Sequence, residues 1–128
     1  MAKQSKESIM TVGKDGLDVD AFQKQISDKT CKKLHIVDVY TAWCGPCLSI
    51  VPTLNNLQVS VDFFSDRCTI TQVDRTLVSE FAERFASTSK PCFLFYRGGQ
   101  EVNLVEGVKM PEILKFIHRN LPEVESED

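Results

Sequence analysis

The chain has 128 residues, 42% of them apolar and 26% charged, with a formal net charge of −3 at neutral pH. That length buries a core as one domain without disulfide or metal staples, and the composition is that of an ordinary globular protein. The slight acidity, the lack of a basic stripe and the lack of a long apolar run speak against nucleic-acid and membrane partners.

Polar residues 1–8 have no apolar core and are expected to be a flexible N-terminus rather than a secretory leader. Ile9-Met10-Thr11-Val12 reads as a short strand closed by Gly13. Asp18 is a helix cap, and Val19, Phe22 and Ile26 follow at helical spacing, predicting a first helix of about 9 residues. The run from Leu34 to Tyr40 predicts a buried strand, and from Leu48 a helical pattern begins, continuing through Ile50, Val51, Leu54, Leu57 and Val61. Pro52 lies within it and predicts a kink.

Residues 68–74 are β-rich and alternating, and Leu77, Phe81 and Phe85 predict a helical stripe. Pro91 precedes the apolar strand Cys92 to Tyr96, Arg97-Gly98-Gly99-Gln100 reads as a hairpin turn, and residues 101–105 alternate as the returning strand. Gly107 breaks that strand. Pro111 opens a last helix whose predicted buried stripe is Leu114, Ile117 and Leu121, and Pro122 begins an acidic tail. Strands alternate with helices until a closing hairpin. The fold class is therefore α/β, a central mixed sheet flanked by helices on both faces.

The stretch Trp43-Cys44-Gly45-Pro46-Cys47 lies between the second predicted strand and the helix that follows. Two cysteines two residues apart at a helix start make a thiol–disulfide site. The helix N-terminus supplies partial positive charge and unpaired N–H groups, which ease ionisation of the first thiol. Gly45 permits close backbone approach, and Pro46 suits a first helical turn. Zinc is the other chemistry of such a pair. It needs two more ligands, and Cys31, Cys68, Cys92, His35 and His118 are scattered singly, so no metal is expected. Five cysteines without a leader fit a reducing, cytoplasmic setting.

The element order with Trp-Cys-Gly-Pro-Cys after the second strand resembles the thioredoxin family over residues 9–121, the expected domain, leaving 122–128 as the tail. Several separated residues carry the resemblance. Asp38 stands six positions before Cys44, matching the family's buried aspartate; Pro52 matches its helix-kinking proline. Pro91 stands where the family places a cis-proline beside the cysteines, and Gly107 where it has a glycine after the fifth strand. The chain is also similar, more narrowly, to the thioredoxin-type light chains of axonemal outer-arm dynein.

The resemblance implies protein-disulfide oxidoreductase chemistry without a cofactor. Cys44 would attack a substrate disulfide, Cys47 would resolve the mixed disulfide, and Asp38 beneath them would take up the proton. It also implies a docking surface formed by Trp43, Gly45, Pro46, Lys90 and Pro91. Partners so implied are protein disulfides and a thioredoxin-reductase-type electron donor. The narrower likeness adds an alternative: a stoichiometric subunit on a dynein heavy chain or another assembly, in a ciliary or flagellar axoneme, with redox-sensitive docking.

Three departures modify the expected surface: Leu48 where lysine is common, Lys90 before the proline, and Cys92 after it. Cys92 is read either as packing or as a site of regulatory oxidation, while Cys31 and Cys68 read as half-buried small residues. His118 reads as a surface residue and His35 as a spacer at the start of a strand.

Overall fold

The computed structural model describes residues 9–13, 16–41, 51–88 and 90–123. The chain runs β1 (Ile9–Thr11), α1 (Val19–Ser27), β2 (Leu34–Tyr40), α2 (Val51–Ser60), α3 (Phe64–Arg67), β3 (Cys68–Asp74), a 3₁₀ turn (Arg75–Leu77), α4 (Ser79–Arg84), β4 (Cys92–Arg97), β5 (Gln100–Glu106) and α5 (Met110–Asn120). Five strands form one sheet in the order β1-β3-β2-β4-β5. The first three are parallel, and β4 and β5 run antiparallel to β2 and to each other. This is the mixed α/β sheet expected from the sequence.

Alternation of side chains along the strands splits the core in two. Leu34, Ile36, Cys68, Ile70, Phe93, Phe95 and Val105 face one way and pack under Leu54 and Leu57 of α2, Phe64 of α3, and Ile113 and Ile117 of α5. Val37, Val39, Val73, Cys92, Leu94 and Tyr96 face the other way, against Phe22 of α1 and Phe81 of α4. Helices thus cover both faces of the sheet.

Local chemistry explains the element ends. The Asp18 carboxylate accepts from the N–H of Ala21 at 2.8 Å and caps α1. Pro111 lies in the first turn of α5, where its missing N–H costs no hydrogen bond. Gly98 and Gly99 take φ of +64° and +80°, the pairing that lets a two-residue turn join β4 to β5. A Cβ on Gly99 would sit 2.8 Å from the Ser27 carbonyl oxygen at the end of α1, so the hairpin tip packs there only with glycine.

Four details depart from the sequence expectations. The predicted stripe Leu77–Phe81–Phe85 is interrupted: the Asp74 carboxylate accepts from the N–H and hydroxyl of Thr76, winding a 3₁₀ turn that leaves Leu77 43% exposed. Val78, extended at φ −123°, is buried in its place, and α4 starts one residue later. In α5 the fully buried pair is Ile113 and Ile117, one turn apart, with Leu114 and Leu121 only partly covered.

The alternation of β5 is shifted by a bulge: Phe95 pairs with Asn103 but Tyr96 with Glu101, so Val102 is the extra residue, and it and Leu104 are exposed. Finally, α3 is an additional short helix. Beside it the Arg67 guanidinium donates to the carbonyl oxygens of Asp62 and Pro122, each at 2.8 Å, fastening the chain after α5 to this corner.

Candidate functional site

The parallel strands β1, β2 and β3 end at the same edge of the sheet, which in α/β folds is the edge that carries ligands and chemistry. Tyr40, the last residue of β2, stands four positions before Cys44. Trp43, Cys44, Gly45, Pro46 and Cys47 lie outside the described residues, as does Leu48. What the described residues show is the surroundings of that stretch. Pro52 lies at the second position of α2, and the residues through which its expected kink would be read also lie outside the described ones.

Asp38 occupies the C-terminal half of β2, on the face covered by α2 and α5, and is 1% exposed. It follows Leu34 and Ile36 in the alternation, so the strand itself drives the carboxyl into the core. Parallel pairing sets Asp38 beside Gln72 of β3, and antiparallel pairing sets it beside Phe93 of β4. The Gln72 amide donates from Nε2 to Asp38 Oδ2 at 3.3 Å, and Gln72 is itself buried. The burial of Asp38 agrees with the sequence expectation. Gln72 was not anticipated, because a glutamine in an alternating strand reads as a solvent-facing residue until its partner strand is known.

Pro91 and Lys90 lie at the start of β4, next to the end of β2, since Cys92 pairs with Val39. The Pro91 carbonyl accepts from the N–H of Gly107 at 2.7 Å. Gly107 has φ +89°, and a Cβ there would meet Lys90 Cδ at 3.6 Å. A glycine after β5 therefore turns the chain back against the proline segment. No peptide bond among the described residues, which include Lys90 and Pro91, is cis. The cis geometry implied by resemblance is thus not what this structure shows.

Lys90 is exposed, and its N–H donates to Thr88 Oγ1 at 3.1 Å, so that backbone group is engaged within the chain. The Thr88 hydroxyl in turn donates to Glu106 Oε2 at 2.8 Å. The Arg75 guanidinium donates to the carbonyl oxygens of Phe85 and Thr88. Arg75, Thr88 and Glu106 together pin the segment before Pro91 to the end of β3 and the end of β5. None of the three is recognisable from sequence, because their partners lie 10 to 18 positions away.

Among the described cysteines all three are free: Cys31 is partly buried, whereas Cys68 and Cys92 are fully buried. Burial pushes the Cys92 thiol up to about 11, with the negative charge of Glu106 adding to the effect. Such an environment disfavours the thiolate and is that of a cysteine that packs as a small apolar residue. Cys68 is more deeply buried than expected, and burial raises its thiol strongly. His35 is buried rather than a mere spacer: its Nδ1 lies 2.7 Å from Thr69 Oγ1, and burial lowers its basicity. His118 is exposed in the last turn of α5.

Among the described residues no three His, Cys, Asp or Glu side chains group to hold a metal, and no helix is long and apolar enough to cross a membrane.

Comparison with known proteins places this arrangement. The family model for thioredoxin matches residues 15–119. Thioredoxin-2 of Saccharomyces cerevisiae is 34% identical over 89 residues, covering 70% of this chain and 82% of that protein. The "Dynein 14 kDa light chain, flagellar outer arm" of Chlamydomonas reinhardtii is 32% identical over 89 residues, 66% of this chain and 63% of that one.

The "Thioredoxin domain-containing protein 3 homolog" of Heliocidaris crassispina is 36% identical over 88 residues, 69% of this chain. The chain spans only 10% of the length of that protein. Among solved structures, the thioredoxin NaTrxh of Nicotiana alata superposes with a TM-score of 0.69 at 25% identity, covering 95% of this chain and 100% of that one. The mixed sheet flanked by helices agrees with these matches, and the chain belongs to the thioredoxin family.

Proposed function

We propose that the chain is a protein-disulfide oxidoreductase module acting through Cys44 and Cys47. In this reading the Cys44 thiolate attacks one sulfur of a substrate disulfide, the substrate S–S bond breaks, and a mixed disulfide forms. The Cys47 thiol loses its proton to Asp38, and its thiolate attacks the Cys44 sulfur. The mixed disulfide breaks, and the substrate leaves with both sulfurs reduced. Two electrons pass from the cysteine pair, which ends as a disulfide, to the substrate. A thioredoxin-reductase-type donor would return them.

The observation that carries this reading is Asp38: an acid 1% exposed on the face covered by α2 and α5, six residues before Cys44. Burying an ionisable group is costly, and buried ionisable groups concentrate where a proton must move. The exposed Lys90 and the Pro91 segment pinned by Arg75 and Thr88 would form one wall of the docking surface, with Trp43, Gly45 and Pro46 the other. The test is insulin disulfide reduction by the purified chain with a reductase and NADPH. Turnover that disappears in Cys44→Ser supports the proposal, and absence of turnover in the unaltered chain refutes it.

A second reading is a stoichiometric subunit, favoured by the likeness to a flagellar outer-arm dynein light chain and by the small share of the long Heliocidaris protein that the chain spans. The partner would then be a dynein heavy chain or another assembly, and the setting a cilium or flagellum rather than the cytoplasm at large. Burial of Cys92 takes one of the three departures off the surface, leaving Lys90 and Leu48. A Cys47→Ser variant, which traps mixed disulfides at Cys44, separates the two. Capture of many unrelated proteins supports the general reductase, and recovery of one stable assembly supports the subunit.

A further inference from the structure

We propose that Gln72 is the positioning residue for Asp38, its side-chain amide holding the buried carboxyl at the site end of the sheet in both of its protonation states. The inference rests on the reading of Asp38 as the proton acceptor. The amide reaches the carboxyl because Asp38 and Gln72 are register partners on parallel strands and both point to the face under α2. Gln72 Nε2 donates to Asp38 Oδ2 at 3.3 Å, with Gln72 6% and Asp38 1% exposed. The flanking residues on that face are Ile36, Ile70 and Phe93, which offer no hydrogen bond.

The chemistry of the amide decides what such a partner does. A lysine here would favour only the ionised carboxylate, and a second acid would oppose it. A primary amide carries both donors and an acceptor. Its N–H₂ group donates to the carboxylate, and after rotation its carbonyl accepts from the protonated O–H. Asp38 in the proposed cycle gains one proton from the Cys47 thiol, breaking S–H and forming O–H, and later gives it up. Gln72 keeps a hydrogen bond to the carboxyl through both halves of that cycle.

Among the described residues, Tyr40 of β2 and Cys92 of β4 are titratable groups that feel Asp38. The Tyr40 hydroxyl is raised first by burial and then by Asp74 and Asp38. The residues of α2 from Val51 to Ser60 include no ionisable side chain.

The test is the carboxyl titration of Asp38, followed by carbon-13 NMR in the full chain, in the unaltered protein and in Gln72→Met, which keeps the length and removes the amide. The midpoint is expected to rise by about one pH unit, because the bond lost from the carboxylate is charge-assisted and stronger than the neutral one lost from the protonated acid, and the acid limb of insulin reduction is expected to move with it. An unmoved midpoint overturns the proposal.

Should Gln72→Met fail to fold, Gln72→Glu serves. A second carboxyl in contact with Asp38 must split the titration into two coupled steps, and two independent titrations overturn the proposal. Asp38→Asn distinguishes the two layers. Full insulin reduction by that variant defeats the proton-acceptor reading while leaving any shift in Gln72→Met intact. An inactive Asp38→Asn with an unmoved Gln72→Met midpoint defeats the role of Gln72 alone.

Discussion

Two polar pairs, each with a buried ionisable member, bridge β2 and β3 between register partners, on opposite faces and in opposite halves of the same strand pair. At the start of the strands His35 meets Thr69 at 2.7 Å; near the finish Asp38 meets Gln72 at 3.3 Å. Each pair has one ionisable member and one neutral member. The difference is position. His35 is five positions before the end of β2 at Tyr40 and turned toward α1 and α4, whereas Asp38 is two positions before that end, from which the chain runs on toward Cys44. The same backbone device therefore serves structure at one end and, in the proposed cycle, proton transfer at the other.

The largest expected effect separates these roles. Asp38→Asn keeps the shape and removes the ionisable group, so insulin reduction at neutral pH should fall by about 100-fold, the lower range for loss of a general base. Stability, read by urea denaturation, should rise by about 1–3 kcal/mol, because a desolvated acid is replaced by an amide that Gln72 can still satisfy. A variant that loses activity and stability together would mean that Asp38 is chiefly a structural member of the core.

The opposite pair should show the opposite signature. Thr69→Val leaves the buried imidazole without its hydroxyl partner and should cost about 1–3 kcal/mol with insulin reduction unchanged. Adding His35→Leu removes the stranded polar group and should restore most of that loss. A double variant no more stable than Thr69→Val would show that the histidine contributes by shape rather than by its hydrogen bond. If either variant slows reduction at constant stability, the two ends of the strand pair are coupled after all.

Burial lowers His35 below its ordinary value of 6.5, which fixes the sign of a pH effect. Between the folded and the ordinary value the unfolded chain holds the proton and the folded chain does not, so stability rises with pH there. This contribution is complete above pH 6.5 and is lost as pH falls toward the folded value. Denaturation midpoints measured across that range should decline on the acid side, and the decline should be absent in the Thr69→Val, His35→Leu double variant. A decline that survives in the double variant belongs to other groups.

The contrast between the ends also explains what the sequence disclosed. Asp38 was legible because Val37 and Val39 flank it inside an apolar run, and a charge set in such a run is conspicuous. The boundaries of β2 and β3, the Asp18 cap and the Gly98-Gly99 turn were legible for the same local reason: each is decided within a few neighbouring residues. Gln72, Thr69, Arg75 and Thr88 were not, because each acquires meaning from a partner 10 to 34 positions away. The bulge at Val102 and the choice of Ile113 over Leu114 also escaped. Both depend on how one element sits against another, which periodicity within one segment does not determine.

The smallest effect comes from a polar pair outside the core. Arg84 of α4 and Glu101 of β5 meet through two hydrogen bonds, Nη1 to Oε1 at 2.6 Å and Nη2 to Oε2 at 2.7 Å, with about a third of each side chain exposed. These bonds are shorter than that of Asp38 with Gln72 and as short as that of His35 with Thr69, yet water screens both charges and neither was fully desolvated on folding. Arg84→Gln should therefore cost less than about 1 kcal/mol, part of it from the guanidinium packed 5.1 Å over the Phe85 ring. The cost should shrink in high salt, whereas that of Thr69→Val should not. A larger or salt-independent loss would mean that this pair ties α4 to β5 as firmly as the other two pairs tie β2 to β3, and that burial is not what sets their worth apart.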